Sequence, residues 1–262
     1  MMSFEFSALT DVGCVRTNNA DAVRVDPARG LAVLADGMGG YNAGEVASAM
    51  AVEHIGTELG RWLDQAADDA TAHQVLRAME DSTDRANRAI FEAANTHADY
   101  AGMGTTVVLA LLWREQLLVG HAGDSRAYRW REGVLTQLTR DHSLLQEQLD
   151  AGLITPEQAA VSGYRSWVTR ALGVEDTVLL ETTEHAVQAG DLFLLCSDGL
   201  TEMVDDADIA DVLGGRGTLD EQARMLIERA KAGGGRDNVS VILARPGEML
   251  KKSGIAGSWW KK

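Results

Sequence analysis

The chain has little of what usually marks a specialised class. Its 262 residues hold two cysteines, Cys14 and Cys196. Two such thiols make no disulfide framework, and both are expected to be reduced. Cys196 lies in Leu192-Phe193-Leu194-Leu195-Cys196, where it reads as a small buried hydrophobe. The longest apolar run, Val107 to Trp113, is far too short to span a bilayer. The N-terminal residues lack a basic segment followed by an apolar core, so no signal peptide is expected and a cytoplasmic location is. The six histidines, His54, His73, His97, His121, His142 and His185, fall at no zinc spacing. Lys and Arg number 24 against 39 Asp and Glu, a net charge of −15. That balance argues against a nucleic-acid binder, which would carry a basic stripe. No internal repeat or low-complexity stretch occurs.

What is present fits one soluble domain with a substantial core. The hydrophobic fraction is 45% and the charged fraction 24%, ordinary for a globular protein. Ser3 to Leu9 alternates apolar and polar residues, as a half-buried strand does. Leu31 to Ala35, Thr106 to Trp113, Gln116 to Gly120, Ala127 to Trp130, Leu192 to Cys196 and Val239 to Ala244 read as buried strands of a mainly antiparallel system. Gly44 to Leu63 and Thr71 to Asn95 carry helical periodicity, as does Leu219 to Ala232, which Gly233-Gly234-Gly235 should end. Strands grouped around helices without regular βαβ alternation predict an α+β layered fold, sheets inside and helices outside. The stretch from Asp141 to Leu172 reads as short polar helical pieces passing over the core.

Several short aspartate motifs stand where strand patterns run out. They are Asn19-Ala20-Asp21, Asp36-Gly37-Met38-Gly39-Gly40, Gly123-Asp124-Ser125-Arg126, Ser197-Asp198-Gly199 and Asp237-Asn238. Carboxylates and backbone carbonyls are hard oxygen donors that suit Mg or Mn rather than Zn or Cu. Clustered without a cation they would raise one another's pKa, and metal ions remove that conflict. Two metals about 4 Å apart can share a hydroxide and brace an in-line displacement at phosphorus. A cation would also be needed on the phosphate oxygens, and Arg16 stands close before the first motif. The chemistry so implied is phosphoester hydrolysis. Each motif alone is also the chemistry of a turn, and spacing alone leaves that reading open.

In these residues, from about 3 to 245, the sequence resembles the PPM family of metal-dependent Ser/Thr protein phosphatases, or type 2C, in its compact bacterial form. The matching runs also include Gly104-Thr105-Thr106, Leu138-Thr139, Asp141-His142-Ser143 and Gly235 before Asp237. The resemblance implies a four-layer αββα sandwich of two antiparallel sheets with a flap at about 141–172. It implies two Mn(II) or Mg(II) ions and a third, weaker one. Asp36 resembles the bridging ligand, the Gly37 carbonyl a ligand of the second metal, and Asp198 and Asp237 the remaining ligands of the first. Asp21 resembles the acidic residue that orients waters on the metals. Asp124 and, within the flap, Ser166 resemble ligands of the third metal, and Arg16 the phosphate clamp. The implied partners are phosphorylated proteins, including a Hanks-type Ser/Thr kinase and its substrates.

Two positions depart from that pattern. Ala20 stands where relatives carry Glu or Gln, which bears on the affinity of the second metal. Met38 stands where eukaryotic relatives have a histidine proposed as general acid. Residues 246–262 form a separate basic tail with Lys251, Lys252, Trp259, Trp260, Lys261 and Lys262. Such a tail can dock on an anionic membrane surface or a partner, or simply lie outside the fold.

Overall fold

The computed structural model describes residues 4–40, 42–67, 69–160 and 167–247. The strands are β1 (Phe4–Asp11), β2 (Asp21–Asp26), β3 (Leu31–Met38), β4 (Gly104–Thr105), β5 (Val107–Trp113), β6 (Gln116–Ala122), β7 (Arg126–Arg131), β8 (Val134–Gln137), β9 (Glu181–Ala186), β10 (Leu192–Cys196) and β11 (Val239–Pro246). The helices are α1 (Ala43–Gln65), α2 (Ala72–Thr96), α3 (Leu144–Asp150), α4 (Pro156–Ala160), α5 (Asp198–Thr201), α6 (Asp206–Gly214) and α7 (Leu219–Ala232). One sheet runs β1-β11-β10-β7-β8, the other β2-β3-β5-β6-β9 with β4 added to β3. The described pairings are antiparallel.

The near-continuous apolar runs have a simple cause: both faces of these sheets are covered. Successive strand residues point to opposite faces. In β5, Val107, Leu109 and Leu111 join the core under α1 and α2, while Val108, Ala110 and Leu112 face the other sheet. In β10, Leu192, Leu194 and Cys196 pack beneath α6 and α7, while Phe193 and Leu195 face inward between the sheets. The result is the expected sandwich, helices outside and two sheets inside. Each fully buried Leu or Ile contributes about 1.5–3 kcal/mol.

The helices start on legible signals. Thr71 and Gln74 form a reciprocal capping box at α2, and Thr218 and Glu221 form another at α7. Past α7 the left-handed turn falls on Gly234 and Gly235, with φ of 130° and 50°, and not on Gly233. Strands β2, β8 and β9 and helix α6 had no counterpart among the expected elements. β2, β8 and β9 are edge or near-edge strands whose residues are largely half-buried or exposed, so no apolar run betrays them. The flap carries α3 and α4, and its base is tied back by bridges between Ser143 and Val168 and between Thr105 and Leu172. Ser166 and the tail from residue 248 lie outside the described residues. Among the described residues, no helix is long and apolar enough to cross a membrane.

Candidate metal centre

Strand ends from both sheets bring the aspartates to one edge of the sandwich. Asp36 lies near the end of β3, directly across from Asp21 at the start of β2. Asp198 follows β10, and Asp237 precedes β11. Asp124 sits in the turn between β6 and β7. A cleft of about 570 Å³ is lined by Arg16, Asp36, Gly37, Asp124, Asp198 and Asp237. A smaller cavity of about 220 Å³ beneath the flap shares Asp124 and Asp198 with it and adds Glu202.

The backbone around Asp36 is pinned from both sides. Its N–H donates to Thr106 Oγ1 at 3.2 Å, and its carbonyl accepts from Thr105 Oγ1 and from the Thr106 N–H, both at 2.8 Å. The Gly37 N–H donates to the Ala20 carbonyl at 3.1 Å. A Cβ on Gly37 would come within 2.0 Å of the Gly44 carbonyl, so only glycine lets α1 start this close. Ala20 keeps the backbone role of its position, since its own N–H donates to Asn238 Oδ1 at 2.8 Å. Its methyl brings no oxygen to the cleft wall that it lines.

The electrostatics are those of carboxylates crowded with too little counter-charge. Burial, then the charges of Asp21, Asp198, Asp124 and Asp237, push the Asp36 carboxyl well above the usual range. Burial, then Asp124, Glu202, Asp237 and Asp21, do the same to Asp198. Burial raises Asp21 to about 6, against hydrogen bonds led by Ser240 and Ser197. Burial, with Asp141 next, raises Asp124 to about 6. One oxygen of Asp21 and one of Asp198 are buried with no hydrogen-bond partner. Hard anionic oxygens, unpaired and enclosed, are what a divalent cation would satisfy. The donor set present therefore fits Mg or Mn.

Arg16 stands at the cleft mouth with Nη2 2.7 Å from Asp237 Oδ2, and its side chain is 57% exposed. Asp237, chiefly by that hydrogen bond, holds the guanidinium above its ordinary pKa. Asp124 is flanked by a locked frame: Ser125 Oγ lies 2.7 Å from Thr106 Oγ1, and Arg126 forks onto Asp141 with contacts of 2.6–3.1 Å. The structure thus gathers Arg16, Asp21, Asp36, Gly37, Asp124, Asp198 and Asp237 in one place.

Sequence reasoning missed the residues that hold this group together. Asn238 donates to the Val12 and Asn18 carbonyls at 3.1 and 2.9 Å and accepts from Ala20, fixing the loop that carries Arg16. Ser197 Oγ donates to Asp21 Oδ2 at 2.8 Å and accepts from the Ser240 N–H at 3.0 Å. The adjacency of Asn238 and Ser197 to the aspartates was visible, but their partners, far away in sequence, were not.

Fold and site together define a type 2C, metal-dependent phosphatase architecture. The protein phosphatase 2C family pattern matches residues 15–228, and the chain belongs to that family. It is 38% identical over 245 residues to the serine/threonine phosphatase Stp of Listeria innocua, covering 92% of this chain and 96% of that protein. It is 41% identical over 242 residues to PstP of Mycobacterium tuberculosis, covering 91% of this chain and 44% of that longer protein. The crystal structure of the M. tuberculosis PstP phosphatase superposes with a TM-score of 0.84 at 38% identity, over 93% of this chain and 99% of that one. A PstP catalytic domain solved with two manganese ions gives a TM-score of 0.80 at 37% identity, over 93% of this chain and 98% of that one.

Proposed function

We propose that this chain is a divalent-metal-dependent protein phosphatase that hydrolyses phosphoserine and phosphothreonine in bacterial signalling. The observation that carries the reading is the convergence of Asp36, Asp198 and Asp237 from three strand ends on one cleft whose mouth holds Arg16. The named activity of the Listeria and Mycobacterium relatives supports it. Asp36, Asp198 and Asp237 would hold one ion, and Asp36 with the Gly37 carbonyl a second. Asp124, with Ser166 by resemblance, would hold a third. Such ions, when bound, supply a positive field for the phosphoryl group and make water acidic enough to react at neutral pH.

The chain's own residues do the rest. Arg16 offers a planar fork of donors to two phosphoryl oxygens once it leaves Asp237. Asp21, paired with Asp36 across β2 and β3, has one enclosed oxygen without a hydrogen-bond partner, which would accept from a water held between it and the ions. Met38 lines the cleft and has no proton for the leaving serine or threonine oxygen, which would take it from water or another group of the cleft. The manganese-bound relative favours Mn, and the same oxygen set accepts Mg. Residues 1–245 would form the phosphatase domain, with a flap at about 141–172 and a separate tail. The partners would be phosphoproteins of the cytoplasm, a Ser/Thr kinase among them, with the tail free to meet an anionic membrane.

The test is phosphate release from a phosphothreonine peptide by the full chain with Mn present, then with excess chelator. Turnover only with the metal supports the reading. Tight peptide binding without turnover at any Mn concentration would reduce the chain to a phosphoprotein-binding module.

A further inference from the structure

A buried polar cluster lies behind the Gly123-Asp124-Ser125 turn. His121 and His142 stack with ring centroids 4.5 Å apart and planes 5° from parallel. The His142 N–H donates to the Gly123 carbonyl at 2.9 Å, and His142 Nδ1 accepts the Gly123 N–H at 3.2 Å. The His142 carbonyl accepts the Thr169 N–H at 2.8 Å, at the base of the flap. One residue thus grips Gly123 at both its N–H and its carbonyl, and ties it to the flap.

Two of the three contacts to the His142 ring favour one tautomer. With Nδ1 accepting, the neutral ring carries its proton on Nε2, 3.2 Å from Glu181 Oε2. Burial lowers the pKa of His142, against its hydrogen bond to Glu181, and so favours the neutral ring. Arg170 Nη1 approaches the same nitrogen at 2.9 Å and favours the other tautomer, but that form would set an Nδ1–H against the Gly123 N–H and leave Glu181 facing a lone pair. His121 Nε2 faces the Arg140 carbonyl at 2.7 Å. The ligand atoms of His121, His142 and Glu181 lie within 4.8 Å of one another, so a cation is the competing occupant. Coordination through His142 Nε2 would force the proton onto Nδ1, where the Gly123 N–H already points. The cluster is built as a strut.

The strut has something to hold. Gly123 adopts a φ of 116°, which side-chain-bearing residues rarely take, so local sterics do little to fix the peptide that leads into Asp124. We propose that His142 is a positioning residue for Asp124: its Nδ1 lone pair holds the N–H of the Ala122–Gly123 peptide and so fixes the rotation about Gly123, while its backbone N–H holds the Gly123 carbonyl, and together they aim the Asp124 carboxylate at the divalent ion beside the flap. This rests on the reading of Asp124 as a ligand of that ion.

Two near-isosteric variants separate this role from packing. His142→Asn puts an acceptor oxygen where Nδ1 sits and gives up Glu181. His142→Gln keeps a donor toward Glu181 and gives up the Gly123 bond. Both lose the stack on His121, so a purely structural role predicts equal effects. The readout is Mn binding to the metal-stripped chain by calorimetry, resolving the weakest ion from the tighter pair. His142→Gln should weaken the weakest ion about 10- to 100-fold, the range for outer hydrogen-bond partners of ligands, and leave the tighter pair unchanged. His142→Asn should stay close to wild type. Equal weakening in both variants, or none in either, overturns the proposal. Asp124→Asn in the same titration tests the premise separately: if the weakest ion survives it, the ligand reading fails and the inference goes with it. A measurement on the unaltered chain needs no variant to fold. The 15N shifts of His142 should report the Nε2–H tautomer, and an Nδ1–H tautomer would overturn the clamp.

Discussion

Arg16 Nη2 lies 2.7 Å from Asp237 Oδ2, so the cation proposed to hold phosphate rests on a carboxylate proposed to hold metal. The pair is a holding position. Arg16 is more than half exposed, and an exposed pair of this kind is worth at most about 1 kcal/mol. Metal binding can therefore release the guanidinium at small cost.

From this follows a split effect for Arg16→Ala. Loss of charge-assisted bonds to phosphate costs about 1.5–3 kcal/mol, roughly 10- to 100-fold in KM. Mn affinity should stay equal or tighten by up to about fivefold, because a competitor for Asp237 has gone. Steady-state kinetics and calorimetry on one preparation check both halves. An unchanged KM would remove Arg16 from the site.

Asp198→Asn should abolish turnover and stabilise the metal-free fold. Its carboxyl is pushed far up by burial and by its neighbours, and one oxygen has no partner. The neutral amide removes that conflict while deleting a ligand. The loss in kcat should exceed the about 100-fold typical of outer partners, and the metal-free melting temperature should rise. Near-normal activity would contradict the assignment.

The metal-free and metal-loaded proteins should respond to pH with opposite sign. Asp21 and Asp124 titrate at about 6 in the fold, against 3.8 for an ordinary Asp. Between those values the folded chain binds more protons than the unfolded one, so its stability falls as pH rises from about 4 through 6. Each group contributes on the order of a few kcal/mol. Divalent ions bind the deprotonated forms, so with saturating Mn that penalty disappears and stability rises over the same window. Thermal melts from pH 5 to 7, with and without Mn, compare the slopes. Parallel slopes would argue against metal at these carboxylates.

The fold was legible where both faces of an element are buried. β5 and β10 read as strands because every position meets either a helix or the opposite sheet. β9 is polar at every position but Ala186 and gave no such signal, although its Glu181 braces His142. The aspartates were legible because they sit in short polar motifs at the ends of strand patterns. The hydrogen bonds that aim them were not, since Asn238 meets Ala20 and Ser197 meets Asp21 only after two sheets have closed on each other. Chemistry followed from local sequence here, and aim followed from topology.

The proposed activity requires that these aspartates bind divalent ions. The most direct measurement titrates the metal-stripped chain with Mn while counting bound ions and following phosphate release from a phosphothreonine peptide. No turnover is expected without metal, with at least two ions bound per chain and activity that appears as the second is taken up. Turnover that persists in excess chelator, or full activity with no Mn bound, would contradict that requirement.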